Sequence, residues 1–373
     1  MKIAVNTRLL QVNKLEGIGW FTFEILRRMV ANHPEVEFHF IFDRKPSPVF
    51  AFGPNVKLHH IGPPTRHVLL FPIWFNIALP AMLRKINPDI FISPDAIGSL
   101  NAPCKQIVVM HDLNFVYHPE WLPKSVARFY NKYSPLFADA ADAIVTVSNY
   151  SANDIVKCYH VPVDKVHVVS NAVNSSFHKL SDELIRTIRI RVSNGNPYFV
   201  YVGSLHERKN IRNLLLAFDS FSKSHSDFRM ILIGAPLWND KFLLEFVNQL
   251  ESKEKIQFLG RLSGGELQEV VGAAHAMTFV PYFEGFGIPV LEAFACEVPL
   301  LSSNRTAIPE VAENAALLVN PDDVEEIARG MKSLAENPEL CRDLVSKGKL
   351  RVKDFSWDLS AERMWEVVVK TIG

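Results

Sequence analysis

Cysteine is scarce in this 373-residue chain. Cys104, Cys158, Cys296 and Cys341 lie far apart and form no C-x-x-C pair. That spacing speaks against a zinc ribbon and a disulfide framework, and for free thiols in a reducing compartment. A dominant charge is also lacking. The 40 Lys and Arg side chains balance 40 Asp and Glu with no like-charge block, so the basic face expected of a nucleic-acid-binding protein is missing. The longest apolar run, VLLFPIWFNIALPAML at 68–83, is broken by Pro72, Asn76 and Pro80. It falls short of the ~20 residues that cross a bilayer. The opening MKIAVNTRLL turns polar after one short strand, unlike a signal peptide. No H-E-x-x-H, G-x-S-x-G or P-loop pattern occurs, which removes metalloprotease, serine hydrolase and P-loop readings. A cytoplasmic enzyme is the expectation.

What is present builds cores. Hydrophobic residues make up 48% and charged residues 21%, a balance that excludes wholesale disorder. The length suits two domains of moderate size. In the first half, KIAV, VEFHFIFD, VKLHHIG, PDIFISP, KQIVVMHD, AIVTVSN and KVHVVSNAV read as strands. Helix-period segments separate several of them, over 17–32, near 72–86 and near 123–140. Residues 175–196 are polar, end in SNGNP and read as a linker. Alternation restarts with YFVYVGS and runs through FRMILIG, IQFLG, MTFVP, PLLSS and AALLVN. The reading is therefore an α/β protein with two parallel-sheet domains, 1–174 and 197–355. A final amphipathic helix at 356–373 is one that no remaining strand requires. In such sheets ligands collect at the carboxyl ends of strands, so a cleft between the two domains is the expected site.

Four clusters stand at those ends. PYFEGFGIPVLEAFA (281–295) follows an apolar strand and opens an apolar helix. First-turn amides have no intrahelical acceptor and the dipole end is positive, so Phe286, Gly287 and Ile288 form a nest for an anion. Glu284 lies just before that nest, and Glu292 is placed to accept two ribose hydroxyls. Taken singly, Glu292 could be a dipole-complementing acid and Glu284 a surface charge; together, bracketing Gly-Phe-Gly, they point to function. YVGSLHERKN (201–210) ends a strand in Gly203 and Ser204, then places Arg208 and Lys209 at a helix start. Cations oppose the dipole there, and a bound diphosphate would resolve the conflict. Gly17 and Gly19 form a glycine pair after the first strand, directly before a helix. They do not make a G-x-G-x-x-G fingerprint, since position 22 is Thr22. VVMHD ends a strand in His111, a position as compatible with a structural hydrogen bond as with a reaction centre.

Assembled, GSLHERKN, FLGRLSGGEL, PYFEGFGIPVLEAFACEVP and AIPEVAENAALLVNPDD, with EGIGWF, VVMHDLNF and TVSNYSANDIV upstream, resemble the family 4 retaining glycosyltransferases along nearly the whole chain. The resemblance implies the GT-B architecture, two Rossmann-like domains facing a cleft, with the last helix crossing back to the first domain. It implies that Glu292 holds the donor ribose and that Glu284, helped by the amides of Phe286 and Gly287, contacts the transferred sugar. Arg208 and Lys209 would neutralise the diphosphate, with Gly17 and Gly19 approaching from the other domain. His111 would lie near the reaction centre, and the segment around Arg261 would bracket the nucleobase. The implied reaction moves a hexosyl unit from a GDP- or UDP-sugar to an acceptor hydroxyl on a glycan or lipid-linked chain, without cofactor or metal. The missing Asp-x-Asp pair is consistent with that. Residues 68–83 read first as an interdomain or core helix kinked by its prolines, with an interfacial patch in peripheral contact with the inner membrane face, near a lipid-linked acceptor, as the alternative. Two alternatives remain open: a sugar-nucleotide epimerase on the same scaffold and a non-catalytic nucleotide-sugar-binding partner. Trp20 and Glu297 depart from the family pattern.

Overall fold

The computed structural model describes residues 1–12, 14–65, 67–235 and 240–373, the side chains of 240–242 lying outside the description. Short apolar runs without period-two alternation suit strands covered on both faces, and such runs build two parallel sheets. The first holds β1 (Lys2–Asn6), β2 (Glu37–Phe42), β3 (Val56–His60), β4 (Ile90–Ser93), β5 (Lys105–Val109), β6 (Ala143–Thr146) and β7 (Val166–Val168). Their order is β3-β2-β1-β4-β5-β6-β7, with parallel register throughout, as in Ile3 opposite Phe38 and Ile107 opposite Ala143. The second holds β8 (Tyr198–Val202), β9 (Arg229–Ile233), β10 (Ile256–Gly260), β11 (Ala276–Phe279), β12 (Leu300–Ser303) and β13 (Leu317–Val319). It runs β10-β9-β8-β11-β12-β13, again parallel.

The chain divides into two compact units, Met1–Asn171 with Ser356–Gly373, and Ala172–Phe355. In the first, Ala4, Ile41, Phe91, Val108 and Ile144 face a helical run Val68–Ile86 and the helices Lys124–Ala140 and Asn149–Tyr159. The terminal helix Trp357–Ile372 lies along the helix Gly17–Asn32, with the Trp357 ring on Phe21 at 6.3 Å. Arg28 pairs with Asp358 at 2.5 Å, and the Ser360 hydroxyl donates to the Ser170 carbonyl at 2.7 Å.

Three local expectations change. Residues 175–196 are not a bare connection. Ser181 caps a helix, Asp182–Ser193, whose Ile188 and Val192 are buried, and Arg189 donates to the Ala273 carbonyl at 2.8 Å. The helix expected over 17–32 forms as Gly17–Asn32, so Gly17 and Gly19 stand inside its first turn rather than in a loop before it. Arg208 and Lys209 belong to a separate 3-10 turn, Glu207–Lys209, and the helix proper starts at Ile211.

Candidate active site

In the second sheet the strand order reverses between β8 and β11, the point at which an open α/β sheet leaves a crevice beyond its carboxyl ends. The loops leaving these two strands are the two motifs that sequence alone singled out, and topology makes them neighbours. After β8, Gly203 has φ 147°, and a Cβ there would lie 2.7 Å from the Tyr201 hydroxyl, which donates to the Ser204 carbonyl at 2.9 Å. Gly234, after β9, presses on the same turn: its Cβ would fall 1.8 Å from the Gly203 oxygen. Only two glycines let these backbones meet, and Gly234 was not singled out from sequence.

Past that turn, the Asn210 side chain donates to the carbonyls of Val280 at 3.0 Å and Pro321 at 2.7 Å. The Tyr282 amide donates to the Arg208 carbonyl at 2.9 Å. These bonds tie the β8 loop to the β11 loop. Lys209 and Glu284 are both buried, and the Lys209 ammonium donates directly to the Glu284 carboxylate. The Arg208 guanidinium lies 3.7 Å from the same oxygen and donates to the Phe283 carbonyl at 3.4 Å. Lys209 also sits over the Phe279 ring, 5.2 Å from its centroid. The two cations that sequence reading left in conflict with a helix dipole thus have a carboxylate beside them. Glu284 is itself set by its backbone: its amide donates to the Thr306 hydroxyl at 3.1 Å, and its carbonyl accepts from Ala307 at 3.3 Å. Thr306 and Phe279 have no motif of their own; only the fold brings them here.

Gly287 has φ 101° and opens the helix Ile288–Ala295, with Pro289 in its first turn. A Cβ on Gly287 would sit 2.6 Å from Ile308 Cδ1 and displace that side-chain tip, and the left-handed conformation itself favours glycine. Phe286 is buried and packs edge-on to Phe355 at 5.5 Å. On the same helix, Glu292 Oε2 is buried with no hydrogen-bond partner among the described residues. Burial pushes its carboxyl up to about 7. A buried carboxylate oxygen without a partner is destabilising. Arg261 is exposed just past β10, beyond β9 on the outer side of β8.

The remaining candidates belong to the first unit. His111 follows β5, its Nε2–H donating to the Pro94 carbonyl at 2.9 Å and its ring edge-on to Phe21 at 5.1 Å. Donation from Nε2 leaves Nδ1 as the acceptor nitrogen, and burial holds the imidazole below its usual pKa, so the ring is neutral near pH 7. Gly19 lies close to Leu9 and Leu15, whereas a Cβ on Gly17 would meet nothing within 4 Å. Gly17 is therefore not demanded by local packing.

Two parallel sheets with a cationic pair and two glutamates at a switch point define the GT-B glycosyltransferase class. Two family models bear this out: Glycosyltransferase Family 4 matches residues 15–177 and Glycosyl transferases group 1 matches residues 187–351. The chain belongs to this glycosyltransferase family. O-antigen chain mannosyltransferase B of Escherichia coli is 29% identical over 256 residues, covering 68% of this chain and 67% of that protein. O-antigen chain mannosyltransferase RfbU of Salmonella typhimurium is 30% identical over 254 residues, covering 68% and 66%. The matched stretch spans about two thirds of each relative's length. Among solved structures, Anabaena HepE in complex with UDP and glucose superposes with a TM-score of 0.76 at 17% identity, over 99% of both chains. That likeness carries the fold alone.

Proposed function

We propose that this glycosyltransferase moves a hexosyl unit, mannose by analogy with its named relatives, from a nucleotide diphosphate sugar to a hydroxyl of a lipid-linked or polysaccharide glycan. It acts in the cytoplasm at the inner membrane face, retains anomeric configuration and needs no metal ion. The observation that carries the reading is the convergence of Arg208, Lys209 and Glu284 beside the helix holding the unpaired Glu292.

Each group has work suited to its chemistry. As the glycosidic C–O bond breaks, negative charge grows on the departing nucleoside diphosphate. A buried ammonium and a guanidinium fork stabilise that charge without rearrangement. They supply what a divalent cation would otherwise supply. The Glu292 carboxylate accepts two ribose hydroxyls, which removes its unfavourable isolation. Glu284, released from Lys209 when the diphosphate takes over the ammonium, accepts hydroxyls of the transferred sugar. Neutral His111 offers Nδ1 as an acceptor for a sugar hydroxyl rather than a positive charge. Retention is supported by the family resemblance, in which the leaving phosphate assists deprotonation of the acceptor.

The test is kinetic. Lys209→Ala is expected to lower turnover by ~10²–10³ with modest change in donor affinity, and Glu292→Ala to weaken donor binding about tenfold or more. Turnover should survive EDTA, and the product linkage should keep the donor's anomeric configuration. Near-wild-type kinetics in both variants would remove the assignment.

A further inference from the structure

The helical run Val68–Ile86 and the helix Lys124–Ala140 lie side by side on one face of the first sheet, with the Phe71 and Phe129 rings 5.3 Å apart. Their inner sides hold Trp74, Phe75, Leu79, Leu83, Phe129 and Phe137 in the core. The outer sides are less usual. Along the first helix, Leu69, Ile73 and Ile77 recur at intervals of four and are 73%, 44% and 65% exposed. Four-residue spacing keeps them on one line, where a helix facing water carries polar side chains. Along the second, Lys124, Arg128 and Lys132 recur at the same interval, all exposed, and Leu136 continues the row at 46% exposure. Arg84 and Lys85 stand exposed in the last turn of the first helix. Residues 67–88 and 123–138 contain five cations and no acid, in a chain whose formal charge is zero. The acids Asp89, Glu120 and Asp139 lie only at their ends.

We infer that this outer surface is a docking face for an anionic bilayer, with Leu69, Ile73 and Ile77 entering the headgroup boundary and the basic row meeting lipid phosphates. An apolar line beside a basic row is the arrangement that binds such an interface. The helix lies on the membrane and does not cross it. Its other side is locked in the core, and the Trp74 indole donates to the Ile61 carbonyl at 3.1 Å, so spanning would dismantle the unit. A second copy of the chain is the poorer occupant, because a two-fold contact would set five cations against the same five. This deepens the proposed reading, in which the acceptor is lipid-linked, by naming the surface that brings the enzyme to it.

Flotation of the full chain with vesicles tests it. Vesicles of equal parts phosphatidylglycerol and phosphatidylcholine are expected to carry the protein, and pure phosphatidylcholine vesicles to carry little. Lys124→Glu/Arg128→Glu/Lys132→Glu should lower partitioning about 100-fold or more, and Leu69→Ser/Ile73→Ser/Ile77→Ser at least tenfold. Thermal stabilisation by GDP and UDP is measured on the same samples. Vesicle binding that persists in both triple variants, or is absent in the wild type, overturns the docking face. So does a wild-type dimer that the serine variant dissociates. Loss of nucleotide stabilisation with flotation intact would instead count against the donor site alone.

Discussion

Glu292 carries two properties that rarely coexist in a stable domain: its Oε2 is buried, and that oxygen has no partner among the described residues. Its place in an E-x7-E spacing was visible in sequence. Its isolation was not, because burial depends on what the fold lays over it. The consequence is proton linkage. The folded-state value of about 7 stands above the ordinary 4.5. Between these values the unfolded chain has lost the proton that the folded chain keeps. This group therefore lowers stability as pH rises from 4.5 to about 7, and no further above that. A ligand donating hydroxyls favours the ionised form. Nucleotide-sugar binding should release a proton and tighten as pH rises from about 6 to 8. Calorimetry in buffers of different ionisation enthalpy would detect that proton, and Glu292→Gln should abolish the signal; equal release in the variant would place the linkage elsewhere.

Strands and most helices were readable from their runs, since a two-sided parallel sheet writes itself as short apolar blocks. The helix Asp182–Ser193 was hidden by a polar face, with only Ile188, Val192 and Ser193 buried. The 3-10 turn at Glu207–Lys209 was hidden because nothing in RKN separates one helical turn from the start of another. Glu297, by contrast, was noticed as a departure from the family pattern, and its backbone is one that favours glycine. It ends the helix Ile288–Ala295 with φ 55°, its carboxylate held by Lys349 at 2.7 Å and Lys179 at 3.0 Å. A left-handed non-glycine residue costs ~1–2 kcal/mol, while each exposed pair returns ~0–1 kcal/mol. Glu297→Ala keeps the strain and loses both pairs; Glu297→Gly loses the pairs and the strain. In urea denaturation the glycine variant should be the more stable of the two by ~1 kcal/mol. The reverse order would mean that the left-handed backbone at this position carries no strain for glycine to relieve.

The whole chain is not two beads in series. Sequence marked the last helix as one that no strand needed, and the structure assigns it to the first unit, where Trp357, Ala361, Met364, Val367 and Val368 are buried. Deleting residues 356–373 should therefore destabilise the unit farther away in sequence. Hydrogen exchange is expected to quicken in the helix Gly17–Asn32 and strand β5, while strands β8 to β13 keep their protection. Unchanged exchange in Gly17–Asn32 would show that the terminal helix is dispensable there.

This return of the chain also imposes an order in time. A polypeptide leaving the ribosome at ~5–20 residues per second can finish the later-made unit before the earlier-made one. Until Ser356 and its successors emerge, Phe21 and its neighbours have no lid of their own, and the first-synthesised half must wait for the last. A message cut short at that codon would release a product with a complete second unit and an unfinished first one, greasy on one flank and dependent on chaperones.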